Sequence, residues 1–277
     1  MTSALHLAHR TSLAAATLMA LAAAVGVVWP SIYTAYLPMP PWAHVEAVGQ
    51  DVLTLFGVIP LLLLSLRAAG RGSVAGHLVW LGTLAYGTYF YALITFGYPY
   101  NPLFMLYTAV LGLSVFSLVT GAMGLEAERV AAAFAGRAPV RAVAGFLMAV
   151  GLVFAGLWLA DIVSALWTGR LPAIVTRFEF PTAPIYALDL AFSVPALLIG
   201  GLLLWRRHPA GYVLGGLMLV LAGLVGAALV AMGAALWIAG QPGDVLPTVP
   251  MAAIALCAGV LAVAFLRHAQ PPSHGAP

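Results

Sequence analysis

Residues 51–67 read DVLTLFGVIPLLLLSLR and residues 189–206 read DLAFSVPALLIGGLLLWR; each is an apolar run that opens on an aspartate, carries one proline and closes on an arginine. About 20 residues of helix cross the ~30 Å hydrocarbon of a bilayer, and each run with its flanks is that long. A carboxylate is costly in such a segment and is rarely kept there without a use. Its recurrence, with a proline behind it, points to a membrane helix used twice.

The two runs extend over 46–66 and 184–205, and comparable ones fall at 11–29, 74–96, 102–121, 140–167, 210–238 and 249–266. The expected fold is all-α, a polytopic transmembrane bundle of eight helices in one membrane domain over residues 1–277. Helix breakers occupy the connections: Pro38, Pro40 and Pro41, then Gly70 and Gly72, then Gly97 to Pro102, then Pro242, Gly243 and Pro247. Composition agrees, with 63% hydrophobic and 7% charged residues against about a quarter charged in soluble domains.

All eleven basic residues are arginine. Arg10, Arg67, Arg71, Arg129, Arg137, Arg141, Arg206, Arg207 and Arg267 fall on one side of an alternating eight-span chain, and only Arg170 and Arg177 fall on the other. Basic loops stay in the cytoplasm, so both termini are expected there, with 269–277 as a cytoplasmic tail. Glu126 and Glu128 share that side, while Glu46, Asp51, Asp161, Glu179, Asp189 and Asp244 lie at or toward the outer face. The basic charge is scattered through short loops, which excludes nucleic acid as a partner; the lack of lysine excludes a retinal or pyridoxal Schiff base. The opening MTSALHLAHR with its alanine-rich sequel also fits a signal peptide cleaved near Ala22 to Ala24; the bundle reading keeps it as the first span.

Weak self-similarity suggests a parallel four-plus-four repeat over 1–125 and 138–268. Leu18-Met19-Ala20 and Trp29 match Leu147-Met148-Ala149 and Trp158 at an offset of 129, Asp51 matches Asp189 at 138, and Ala75-Gly76-His77 matches Ala210-Gly211-Tyr212 at 135.

Asp51, Asp161 and Asp189 are the candidate ligand carboxylates, with Arg170 and Arg177 as partners across an outward-opening cavity. The plainer alternative sets all three at interfacial depth, with Asp51 and Asp189 favoured by helix N-termini. Tyr86 lies too deep for an interfacial belt and shares a helix face with Tyr89, so these two, with Asn101 and Tyr107, are candidate lining residues. Pro60 and Pro195 are candidate hinges, since each frees a carbonyl one turn earlier. No two histidines fall together within a span, because His6 and His9 read as tail residues and His77 as a helix-end residue. No metal site and no cofactor are expected. Cys257 reads as core filler. The stripes Gly223, Ala227, Ala231, Ala235 and Ala16, Ala20, Ala24 allow close helix contact, within the bundle or in a homodimer.

Two stretches carry a family resemblance: the aromatic third span with Asn101, Leu103, Phe104 and Tyr107 after it, and the series Asp189, Leu190, Pro195, Arg206, Arg207, Pro209, Gly211 and Tyr212. In these the chain resembles a family of bacterial polytopic membrane proteins that carries no assigned activity, which implies a multi-pass protein of the bacterial inner membrane. The lead expectation is binding or transport of a small solute or cation; the alternatives are a lipid-processing enzyme using an aspartate pair, and a non-catalytic sensor or accessory subunit.

Overall fold

The structure is a computed structural model that describes residues 3–134, 138–241 and 248–269. Arg137, Pro242, Gly243, Asp244 and Pro247, named above, lie outside the described residues. Among the described residues ten helices follow in order: α1 (Ser3–Val28), α2 (Pro41–Gly70), α3 (Val74–Gly97), α4 (Phe104–Met123), α5 (Ala127–Ala133), α6 (Val140–Thr168), α7 (Ala173–Phe178), α8 (Pro184–Trp205), α9 (Pro209–Ile238) and α10 (Thr248–Leu266). All but α5 and α7 are long and apolar enough to cross a membrane, which makes eight spans, and no strand occurs among the described residues.

The local chemistry explains the boundaries. Ser73 starts α3 by accepting a hydrogen bond from the Gly76 N–H at 3.0 Å, and His208 starts α9 through Nδ1 and the Ala210 N–H at 3.2 Å. Pro209, at the first position of α9, lacks an N–H that would have no helical partner there. α6 stops at Gly169, whose φ of 66° is the left-handed conformation that glycine adopts without a Cβ penalty.

The first four spans close on themselves. α1 lies along α4, α3 along α4 and α2 along α3. With no water available, interhelical hydrogen bonds help hold such a bundle: Trp80 Nε1 donates to Ser12 Oγ at 3.0 Å, and Ser117 Oγ donates to Thr11 Oγ1 at 2.7 Å. In the second four, α6 packs on α8, α8 on α9 and α9 on α10, while α6 and α10 barely touch. One half is closed and the other is parted.

α9 joins the halves by packing on α2 and α3 as well. A Cβ added at Gly49 would stand 2.8 Å from the Ala231 carbonyl oxygen and from the Ala235 Cβ. Part of the α9 stripe therefore works inside the bundle. Cys257 corrects an expectation, because it is exposed on α10, whose buried side chains are Ala258 and Phe265. His9 is another: α1 already begins at Ser3, and His9 and His77 flank the same Trp80 ring at 4.8 and 4.9 Å. The two histidines approach each other inside the bundle, where they read as a tail residue and a helix-end residue.

Both prolines sit just behind a π-turn, a stretch of i→i−5 hydrogen bonding. Thr54–Val58 precedes Ile59 and Pro60, and Asp189–Ser193 precedes Val194 and Pro195, with Ile59 N–H bonded to the Thr54 carbonyl and Val194 N–H to the Asp189 carbonyl. The widened turn accommodates the missing proline donor without ending either helix. Measured on these turns the two helices match at 135 residues, not 138. The same offset relates left-handed Gly72 to Arg207, N-cap Ser73 to His208, and Gly76 against Ala68 and Ala69 to Gly211 against Leu203 and Leu204. Asp189 thus takes the place of Thr54, and Asp51 that of Tyr186.

Candidate functional site

The two Asp–Pro helices put their carboxylates in different surroundings. α2 begins as early as Pro41, which sets Asp51 ~15 Å along the helix. It is 7% exposed, and the Tyr33 hydroxyl, carried on the 3₁₀ turn Pro30–Thr34, donates to its carboxylate. Gly26 of α1 lies directly against the pair, since a Cβ there would overlap both the Asp51 carboxylate and the Tyr33 hydroxyl. Tyr98 meets the Tyr33 ring edge-on at 6.2 Å, and His44 Nε2 donates to the Pro30 carbonyl at 2.7 Å, which fixes the turn. Burial first, and the Asp51 carboxylate second, raise the Tyr33 hydroxyl well above its ordinary range. Tyr33 therefore remains a donor.

Asp189 opens the second π-turn and is partly exposed. Trp158 Nε1 of α6 donates to it at 2.8 Å, and the hydroxyls of Tyr89 and Ser193 stand beside it. Asp161, one turn after Trp158, accepts from the Tyr186 hydroxyl at 2.7 Å and from the Ala173 N–H, at the start of α7, at 2.9 Å. Tyr186 stacks on Trp158 at 4.6 Å, so Asp161 and Asp189 are linked through two stacked rings. A Tyr–Asp hydrogen bond thus stands on each of the two Asp–Pro helices, with Asp51 accepting from Tyr33 and Tyr186 donating to Asp161. Aromatic O–H and N–H groups, a serine hydroxyl and a backbone N–H are hydrogen-bond partners of the three aspartates.

An inner cavity of about 540 Å³ lies among α2, α3, α6, α7, α8, α9 and α10, where α6 and α10 stand apart. Its wall is mainly apolar, with Asp189, Tyr86, Tyr89, Gln50, Glu46 and Arg177 as its principal polar members. A second cavity, of about 410 Å³, opens on the proline-rich face of the bundle, between the 37–40, 96–100 and 178–181 segments. Glu46, Tyr98, Phe178 and Phe180 line both. These four side chains form the wall between them.

Of the residues named from the sequence, Asp189, Arg177, Tyr86 and Tyr89 line the inner cavity, and Asp51, Asp161, Arg170, Asn101 and Tyr107 do not. Asn101 is a turn residue: its Oδ1 accepts from the Leu103 N–H at 3.0 Å and its Nδ2 donates to the Pro99 carbonyl at 3.1 Å. Tyr107 packs against Tyr91 at 6.2 Å, Arg170 is exposed, and the Arg177 guanidinium lies 4.5 Å over the Trp42 ring. Gln50, Trp158, Tyr33 and Tyr186 went unnamed as site residues. Gln50 had a signal, as the polar neighbour of Asp51, and it donates to the Tyr86 hydroxyl. Among the described residues no group of three or more His, Cys, Asp and Glu is placed to hold a metal ion. Comparison with protein-family models, with curated proteins and with solved structures finds no match.

Proposed function

We propose that this is a multi-pass protein of the bacterial inner membrane, with both termini cytoplasmic, that binds a small solute in the inner cavity and admits it from the outer face. The arginine-poor, proline-rich face is then the external one, and the 410 Å³ cavity is its vestibule. The observation that carries the reading is the alignment of two cavities across one wall, with the Asp189 carboxylate in the inner one. A polar group at membrane depth that lines a void is the usual mark of a solute or ion path. The lipid-enzyme alternative asks for two carboxylates acting on one bond, and the three aspartates share no hydrogen-bond partner.

The same reading takes the chain as a doubled four-span unit. The matched π-turns, left-handed residues and caps at 135 residues support it. In these terms the cavity lies where α2 and α3 of one copy face the other, whose first and fourth spans, α6 and α10, have separated while their counterparts α1 and α4 remain closed.

The test is accessibility. With Cys257→Ser as background, Ser193→Cys places a thiol on the cavity wall, and a membrane-impermeant maleimide is applied from each side of oriented vesicles. Labelling from the outer face is expected; labelling only from the cytoplasmic face, or from neither, removes the proposal.

A further inference from the structure

The cavity wall also indicates which chemistry it accepts, an inference that rests on the binding role proposed above. At its polar end the cavity presents two acceptors, the Asp189 carboxylate and the Gln50 side-chain oxygen. The Asp189 carboxylate receives the Trp158 N–H on one oxygen at 2.8 Å and has the Tyr89 and Ser193 hydroxyls beside it, so its charge, more than a vacant lone pair, is what an occupant meets. Gln50 lines the cavity with no exposure to solvent; its amide N–H₂ is used on Tyr86 and Thr54, while its side-chain oxygen has no hydrogen bond. A buried acceptor without a donor is costly, and an occupant that donates relieves the cost. The Arg177 guanidinium is engaged over the Trp42 ring at the start of α2.

Around the carboxylate stand aromatic rings, Trp158, Tyr89, Tyr186 and Phe154 among them, and much of the remaining wall is aliphatic, with its largest share from α9 and α10. Aromatic faces attract a desolvated cation, and a carboxylate in an apolar wall attracts it more strongly still. A calcium-like ion asks for six to eight oxygen ligands, which the acceptors here do not supply. An anion would meet the Asp189 carboxylate, and a polyhydroxylated solute would bury hydroxyls against aliphatic carbon.

We infer that the occupant is an apolar molecule bearing a protonated amine, its ammonium group held by Asp189 and Gln50 among the rings of Trp158 and Tyr89 and its body against α9 and α10. No bond is made or broken; the site is a receptor for an organic cation.

Three probes of one shape test this: 1-naphthylmethylamine, 1-naphthylmethanol and 1-naphthoate, titrated calorimetrically into the full chain in detergent. The amine is expected to bind about tenfold or more tighter than the alcohol, and the acid not at all. Asp189→Asn should bring the amine down to the alcohol's affinity, and Leu229→Trp, which fills the aliphatic end, should weaken both. Equal binding of all three probes, or an Asp189→Asn variant that keeps amine preference, overturns the inference while leaving the cavity a binding site. Failure of all three to bind overturns the inference together with the binding role. Should Asp189→Asn not fold, the amine-to-alcohol ratio of the native chain decides alone. An ethanolamine phospholipid carries the same ammonium chemistry. Loss of amine binding in nanodiscs of that lipid, against phosphatidylglycerol nanodiscs, assigns the occupant to the bilayer, and unchanged binding assigns it to a free amine.

Discussion

The Trp158 indole N–H and the Asp189 carboxylate are joined at 2.8 Å across the packing of α6 on α8. The bond ties the parted half of the bundle together at the cavity, and Tyr186, stacked on Trp158, extends it to Asp161. Trp158→Phe keeps an aromatic ring for the stack and removes the donor. It should cost about 1.5–3 kcal/mol, the range for a hydrogen bond to a charged group, and lower the melting temperature in detergent. An unchanged melting temperature would show that the bond contributes nothing.

Gly26 and Gly156 make a matched pair of helix glycines. A Cβ at Gly26 overlaps the Asp51–Tyr33 pair, and one at Gly156 meets nothing within 4 Å. Gly26→Ala should destabilise by about 1–3 kcal/mol through overpacking, whereas Gly156→Ala should be neutral or gain up to ~1 kcal/mol from helix propensity. Thermal melts of the two variants, compared side by side, read the difference.

Tyr33 gives a pH dependence with a definite sign. Its folded-state pKa is raised, by burial before the carboxylate, so the folded state holds the proton more tightly than the unfolded chain. The stability this contributes is complete below the unfolded value of about 10 and is lost as pH rises through the folded value. Tyr33→Phe should therefore be less stable than the native chain at neutral pH and lose less on going to pH 11. Parallel melting curves at every pH would refute the assignment.

Phe178 lines both cavities and meets Trp42 edge-on at 4.8 Å and Phe180 in a stack at 5.0 Å. Phe178→Ala thins the wall between vestibule and cavity. Maleimide labelling of the Ser193→Cys chain from the outer face should accelerate severalfold, and a rate no greater than that of the parent would remove Phe178 from the path.

The spans were legible because hydrophobic run length alone sets them: α8 was expected at 184–205 and is Pro184–Trp205. Depth was legible where a proline marks a helix start, as for Asp189, and open where two starts were possible, as for Asp51. What each carboxylate faces was not legible. Facing depends on helix rotation and on which helices part, and a nearly uniform Ala, Leu, Gly and Val background carries little periodic signal for either. Asn101 shows the limit, since a buried asparagine that ties a turn and one that binds a solute look alike in sequence. Trp158 shows another, because its indole reads as core until Asp189 is seen opposite.

The π-turns also decide which side chains face one another. A π-turn holds one residue more than the α-turn it replaces, and one residue turns a helix by about 100°. Deleting a single residue from Thr54–Val58 would restore ordinary winding and swing Asp51 and Gln50 away from Tyr33 and Tyr86. The facing of these groups is thus a matter of counting. Each π-turn begins six positions before its proline, so in both helices the same count decides which side chains turn toward the neighbouring spans.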